Sequence, residues 1–266
     1  FAGAAFSAMA RGCLDDLRHV FQTEGPVYAY SANGHGGWEV VFDNLIAPGG
    51  TVLMPETGRF SQSWAEMAEA LGVRVVTTEA FHDRPLDPAA VEAALRADTG
   101  RRIKAVAMVQ VETSTGVTHD VRAVREAIDA AGHPALLLVD AIASLGCIDL
   151  PMDRWGIDLV VTASQKGLMM PAGMAFVAVG ERARRVAADG GAPRRYWDWR
   201  LREGEESYFW FYGTPPVQMM FGLREVLDML FEEGLPQVFA RHHRLAEATR
   251  RAVARWGENG DVAFQC

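Results

Sequence analysis

Basic charge is the first thing this sequence has too little of. Lys and Arg number 26 against 34 Asp and Glu, a formal net charge of −8. Proteins that neutralise a phosphate backbone usually present a basic face, so nucleic acid is not expected as a partner. A local basic pocket for a small anion stays open. Cysteine is scarce too: Cys13, Cys147 and Cys266 are scattered and odd in number. Without CxxC or Cys/His ligand spacing, neither a disulfide framework nor a metal site is expected, and the thiols read as free in a reducing, cytoplasmic compartment. No apolar run reaches transmembrane length and no signal peptide is visible, so no membrane association is expected. GxGxxG, P-loop, internal repeats and low-complexity tracts are all missing. The chain opens abruptly at Phe1-Ala2-Gly3 and stops at Phe264-Gln265-Cys266, where a strand-like run begins, so both ends are expected to be cut.

What is present is an ordinary globular composition, 49% apolar and 23% charged over 266 residues, enough for a large core. Short apolar runs predict strands over residues 27–31, 51–54, 73–78, 103–111, 135–140, 159–163 and 174–179. Amphipathic stretches between them predict helices over 37–46, 61–71, 88–96, 119–131 and 181–188. Strands this apolar are covered on both faces, and their alternation with helices predicts an α/β fold with a mainly parallel sheet. After Pro215 the pattern changes to two helices, 217–233 and 235–256, with Gly234 and Pro236 at the junction. The basic run Arg241-His242-His243-Arg244 reads as a solvated helix face. Residues 189–193 and 202–206 read as exposed loops.

In open α/β sheets ligands bind beyond the carboxyl ends of the strands. After the first strand comes Ser31-Ala32-Asn33-Gly34-His35-Gly36-Gly37 and then a helix, a candidate anion cradle or a plain turn. Glu112-Thr113-Ser114-Thr115-Gly116 follows the fourth, offering hydroxyls to a ligand or capping a helix. Asp140 ends a buried strand and needs a cationic partner, either a salt bridge or a protonated ring nitrogen. Ser164-Gln165-Lys166-Gly167 follows the next strand. A lysine desolvated there would have the lowered pKa of a Schiff-base former, and the alternative is a snorkelling surface lysine. Lys166 follows Asp140 by one strand-and-link unit, which predicts adjoining strand ends. Phe60 or Trp64 could stack on a planar ring, with core packing expected for Trp64.

Together these stretches resemble the class V aminotransferases of PLP fold type I, above all the alanine–glyoxylate and serine–glyoxylate aminotransferase family. The likeness is carried by Ser31 to Glu39, by Glu112-Thr113-Ser114-Thr115-Gly116-Val117, by Val139-Asp140-Ala141-Ile142-Ala143-Ser144-Leu145-Gly146, and by Ala163-Ser164-Gln165-Lys166-Gly167-Leu168. Tyr212-Gly213-Thr214-Pro215 and Leu223-Arg224-Glu225 match more weakly. The resemblance implies pyridoxal 5'-phosphate (PLP) as cofactor, bound by Lys166 as a Schiff base, with Lys166 afterwards the proton carrier. It implies Asp140 on the ring nitrogen, Asn33, Gly34 and His35 on the phosphate with Gln165 assisting, Thr113 on the ring hydroxyl and Phe60 on the ring face. Thr214, with Phe211 or Tyr212, would reach the phosphate across a homodimer interface, giving shared active sites. The loop departs from the family's Ser-Gly-Ser-Gly or Thr-Gly-Thr-Gly through Ala32 and Asn33. Residues 1–230 would be the PLP-binding large domain, its N-terminal segment incomplete, and 231–266 a linker helix and the start of a truncated C-terminal small domain. The arginine for the substrate carboxylate would lie outside this chain. The implied reaction is transamination between alanine, serine or aspartate and a small 2-oxo acid, glyoxylate foremost. Alternatives are pyridoxamine–pyruvate transamination, lyase or desulfurase chemistry, and a non-catalytic α/β domain binding another phosphate ligand.

Overall fold

The computed structural model describes residues 3–79, 84–189, 194–258 and 260. A seven-stranded sheet forms the middle layer. Its strands are β1 (Val27–Tyr30), β2 (Thr51–Leu53), β3 (Arg74–Val76), β4 (Ile103–Val109), β7 (Leu136–Asp140), β8 (Leu159–Ala163) and β9 (Ala175–Val179), while β5 (Val111–Glu112) and β6 (Val117–Thr118) make a small antiparallel hairpin. The order across the sheet is β3-β2-β4-β7-β8-β9-β1. The pairs from β3 to β8 are parallel, whereas β9 is antiparallel to both β8 and β1. Two reversals return β1 to the direction of β8, so the carboxyl ends of β1, β4, β7 and β8 meet on one edge of the sheet.

The central strands are buried along their whole length, and alternate residues serve opposite faces. Leu137 and Val139 join the core under helices α1 (Ala4–Phe21), α4 (Pro88–Ala97), α5 (Val121–Ala130) and α8 (Val217–Glu233). Leu136 and Leu138 join the core under α2 (Gly34–Leu45), α3 (Arg59–Ala70) and α6 (Glu181–Asp189). Each such side chain contributes roughly 1.5–3 kcal/mol of hydrophobic burial. The expected α/β fold with a mainly parallel sheet is thus the one found.

Several local expectations need correction. The first described helix, α1, had no counterpart in the predicted elements. Its apolar stripe of Ala10, Cys13, Leu14, Leu17 and Phe21 has helical spacing and packs on α8. The predicted strand 103–111 is broken at Gln110, whose backbone N–H bonds Asp140 O while its carbonyl accepts from His119 N. The stretch 202–206 is not uniformly an exposed loop. Arg202 closes a 3-10 turn (Trp199–Arg202) and is 3% exposed, because its guanidinium donates to the carbonyls of Ala29, Trp210 and Tyr196 and lies over the Tyr30 ring. A short helix, α7 (Ser207–Phe211), follows. Gly234 separates α8 from α9 (Leu235–Gly257), as expected. His243 and Arg244 on α9 are exposed, His242 bonds Val238 O, and Arg241 pairs with Glu233. Residues 190–193 and the strand-like run ending at Cys266 lie outside the described residues.

Candidate active site

At the shared sheet edge the turn after β1 leads straight into α2. Asn33 is the N-cap, its side-chain oxygen accepting from Gly36 N at 3.3 Å. Helix α2 therefore begins at Gly34, three residues earlier than predicted, and the expected glycine loop is in fact its first turn. The N–H groups of Gly34 and His35 meet no acceptor among the described residues and sit at the positive end of the helix. Gly34 packs closely on Ile142: a Cβ there would stand 2.5 Å from Ile142 Cδ1, and that side chain would have to shift.

Asp140, the last residue of β7, is 4% exposed. Its Oδ1 accepts from Ile142 N at 2.7 Å and its Oδ2 from the Trp38 indole Nε1 at 2.8 Å. Burial pushes its carboxyl up to about 7. The Ile142 and Trp38 donors and the Lys166 charge oppose that rise, and the Glu112 charge adds to it. Trp38 itself is 1% exposed and stacked on Trp64 at 5.8 Å, and Trp64 is wholly buried, as expected for a core residue.

The turn carrying Lys166 follows β8, the parallel neighbour of β7. Buried Ser164 stitches that turn, donating from Oγ to Pro171 O at 2.7 Å and accepting from Met174 N at 3.2 Å. Gly167 is locked against the turn after β7: a Cβ there would fall 2.1 Å from Leu145 O and 2.9 Å from Cys147 Sγ. Asp140 and Lys166 thus stand on adjoining strand ends, held by backbone-to-backbone packing. Two alternatives were open for the Lys166 side chain, desolvated or at the surface. Lys166 is exposed at the cleft mouth, so this chain alone does not desolvate it. Gln165 beside it has a buried Oε1 with no hydrogen-bond partner among the described residues.

Phe60 and Thr113 come from elements tied together by one carboxylate to which the sequence motifs assign no role. Glu112 is fully buried. Its Oε2 accepts from Phe60 N and Ser61 N at 3.1 and 3.2 Å, and its Oε1 from Ser114 N and Ser114 Oγ at 3.0 and 2.6 Å. It caps α3 from the β5–β6 hairpin, which sets Phe60 beside Trp38 (6.3 Å, edge-on) and Thr113 on the facing rim. Behind the hairpin, burial pushes His119 down to about 4. Its Nδ1 accepts from Leu86 N and its Nε2 has no partner among the described residues.

These parts enclose one cleft of about 210 Å³. Asn33, Gly34, His35, Phe60, Thr113, Asp140, Gln165 and Lys166 all line it, with Trp38. Thr214 does not: it is exposed and away from the cleft, Phe211 is buried and Tyr212 half-buried. No arginine lines the cleft among the described residues, and no cluster of His, Cys, Asp or Glu there could hold a metal ion. The donor set fits PLP. A buried carboxylate without an ion-pair partner suits a cationic ring nitrogen, free helix N–H groups and an orphaned amide oxygen suit the polar periphery, and a primary amine stands at the mouth. Trp38 and Glu112 are the contributors that motif reading missed, because their partners lie 102 and about 50 residues away in the chain.

Residues 9–258 match the family described as Aminotransferase class-V. The chain is similar to the serine–glyoxylate aminotransferase of Methylorubrum extorquens, 44% identical over 259 residues, covering 95% of this chain and 64% of that protein. It is similar to the L-aspartate–glyoxylate aminotransferase of Paracoccus denitrificans, 38% identical over 253 residues, with coverage of 95% and 64%. Among solved structures it resembles the alanine–glyoxylate aminotransferase of Nostoc sp., with a TM-score of 0.82 and 29% identity over 92% of this chain and 65% of that one. The chain therefore spans about 64% of the length of the curated relatives it matches. The expected PLP fold type I is the fold of the solved structures it resembles.

Proposed function

Because the chain belongs to the class-V aminotransferase family, we propose that it forms the cofactor-binding part of a PLP-dependent transaminase acting between an amino acid and glyoxylate. The observation that carries this reading is the convergence of Lys166, Asp140, Gln165 and the free N–H groups of Gly34 and His35 on one cleft. Glyoxylate is supported by the names of the serine–glyoxylate and aspartate–glyoxylate relatives. Serine, alanine and aspartate are the donors to try first.

When bound, PLP supplies an aldehyde that condenses with primary amines and a ring that draws electrons from the substrate α-carbon. Lys166 offers the amine that holds the cofactor and, once released, is the base that moves the α-proton. Asp140 keeps the ring nitrogen protonated. Gly34 and His35 hold the phosphate through their N–H groups, with Asn33 and Gln165 beside them. Phe60 would cover the ring and Thr113 would serve its hydroxyl. The substrate carboxylate is held by residues beyond this cleft.

Thr214 is assigned to the cleft of a second copy, which makes the enzyme a homodimer with shared sites. Its exposure and the neighbouring exposed Tyr208 and Phe209 support this. The division into residues 1–230 and 231–266 remains part of the proposal, and it falls in the last turn of α8. A cytoplasmic location is supported by Cys13 and Cys147 being free thiols. No helix among the described residues is long and apolar enough to cross a membrane. A desulfurase reading is weaker, since Cys147 packs against Gly167 and burial raises its thiol pKa above the ordinary value.

The test is spectroscopic and chemical. Protein loaded with PLP absorbs in the visible, a productive donor bleaches the band, and glyoxylate restores it as glycine forms. Borohydride and peptide mass spectrometry mark Lys166 and not Lys104, the one other lysine in the sequence, and Lys166→Ala carries no mark. Colour that persists with every donor tried, or a mark on Lys104 alone, sinks the proposal.

A further inference from the structure

We propose that Trp38 is a positioning residue for this site: its indole fixes the Asp140 carboxylate in the cleft while its ring face backs Phe60. This rests on the reading of the cleft as a PLP site. Trp38 lies one turn into α2, directly behind the N–H groups of Gly34 and His35, so the same helix turn serves both ends of the cleft. Three rings confine it: His35 at 4.5 Å, Phe60 edge-on at 6.3 Å, and Trp64 stacked at 5.8 Å with planes 21° apart. Trp64 is held in turn by Phe42 at 5.4 Å. Of the two stacked indoles, Trp64 has a buried Nε1 with no acceptor, whereas Trp38 aims its Nε1 at Asp140 Oδ2. With Ile142 N on Oδ1, one donor on each oxygen fixes the plane of the carboxylate.

The chemistry needs that plane and that charge. A carboxylate pairs with a protonated ring nitrogen only while ionised, and burial works against ionisation here. The groups that set the balance are Lys166 from the turn after β8, Glu112 from β5, and the Ile142 and Trp38 donors. His35, on α2, also lines the cleft. Trp38 is the side-chain donor among them, and it favours the ionised form. A tryptophan that merely filled the core would have no such effect.

Equilibrium dialysis with PLP from pH 6 to 9 separates the two roles. Trp38→Phe keeps an aromatic ring and removes the donor. Near pH 7 it should bind PLP about five- to sixfold more weakly, with the acid limb of binding displaced upward by about one pH unit. In an Asp140→Asn background the same change should alter the dissociation constant less than twofold, because no carboxylate is left to ionise. Trp64→Phe takes similar volume from the same aromatic stack and should leave the limb in place. Trp38 is no more than a core residue if Trp38→Phe weakens binding equally at every pH and in both backgrounds, or if Trp64→Phe moves the limb as far. An unchanged limb in a folded Trp38→Phe protein overturns the inference as well. Should Trp38→Phe not fold, Trp38→His, which keeps a ring N–H, is measured instead, and a limb shifted by less than a full unit is then the expected result against an unshifted or equally shifted one. If the unmutated protein takes up no PLP, the functional reading fails first and separately.

Discussion

Replacing Asp140 with asparagine should stabilise the cofactor-free protein at alkaline pH while weakening its hold on PLP. Asp140 is buried, and its carboxyl is pushed from 3.8 up to about 7. Between those values the folded protein keeps a proton that the unfolded chain has lost, so stability falls as pH rises through this window. Below about pH 4 both states are protonated and the penalty is absent, and above about pH 7 it is complete. An asparagine amide at this position never ionises, so the variant carries no such penalty. The difference in unfolding free energy, variant minus parent, should therefore grow by about 2.7 kcal/mol from pH 5 to pH 8, roughly two pH units at 1.36 kcal/mol each. The amide loses an acceptor facing Ile142 N or Trp38 Nε1, which lowers the difference by about 1–3 kcal/mol at all pH values and leaves its slope alone. Urea unfolding of both cofactor-free proteins across that range, at constant ionic strength, measures the slope directly. A difference that stays flat, or shrinks as pH rises, would refute the claim that Asp140 is a carboxylate penalised by burial and awaiting a cation.

Gly167→Ala should cost more than about 3 kcal/mol, because its Cβ meets backbone Leu145 O at 2.1 Å and backbone cannot rotate away. A urea midpoint within error of the parent would show that the two turns are not locked together. Glu112→Gln turns an amide toward one of the two donor pairs that the carboxylate now serves, Phe60 N with Ser61 N or Ser114 N with its hydroxyl. A loss of about 2–4 kcal/mol is expected, together with weaker PLP retention as Phe60 loosens, read by thermal melting and dialysis. His119, pushed from 6.5 down to about 4 by burial, binds its proton less readily folded than unfolded, so it erodes stability as pH falls from about 6.5 to 4. His119→Gln should remove up to about 3 kcal/mol of that acid-side loss, and an unaltered acid limb in urea titrations would count against it.

The chemistry of this site was readable where it depends on neighbours in sequence. Asp140 ends an uninterrupted apolar run and Lys166 follows the next, so strand pairing alone brings them together. The alternation of buried strands and helices likewise fixes the sheet direction without any contact being known. What escaped is whatever depends on distant partners. Helix α1 has its stripe at Ala10, Cys13, Leu14 and Leu17, but its burial comes from packing on β1 and, some 200 residues on, α7 and α8. Arg202 sits in a charged stretch that reads as solvated, yet carbonyls and an aromatic face from three other segments draw it inside. For Lys166 the sequence left burial open. A position after a buried strand does not by itself desolvate a side chain, and the turn that Gly167 locks points it to the mouth of the cleft.

That exposure changes how the site has to work. Asp140 carries its burial penalty with the chain alone, whereas Lys166 stays in water. Lys166 therefore offsets the Asp140 penalty only weakly, its charge being the smallest of the influences named on that carboxyl. A ligand bearing a cationic ring nitrogen would relieve the first group and bury the second in one event. Any group that binds only the folded state stabilises it by RT ln(1 + [L]/Kd). Because relief of the Asp140 penalty is part of that binding free energy, cofactor should raise the unfolding midpoint more at pH 8, where the penalty is complete, than at pH 5, where the carboxyl is mostly protonated and offers the ring nitrogen no charge. In the Asp140→Asn protein that pH dependence should vanish. Thermal melts with and without saturating PLP at the two pH values decide it, and equal shifts in parent and variant would mean that the cofactor draws its affinity from the phosphate cradle alone.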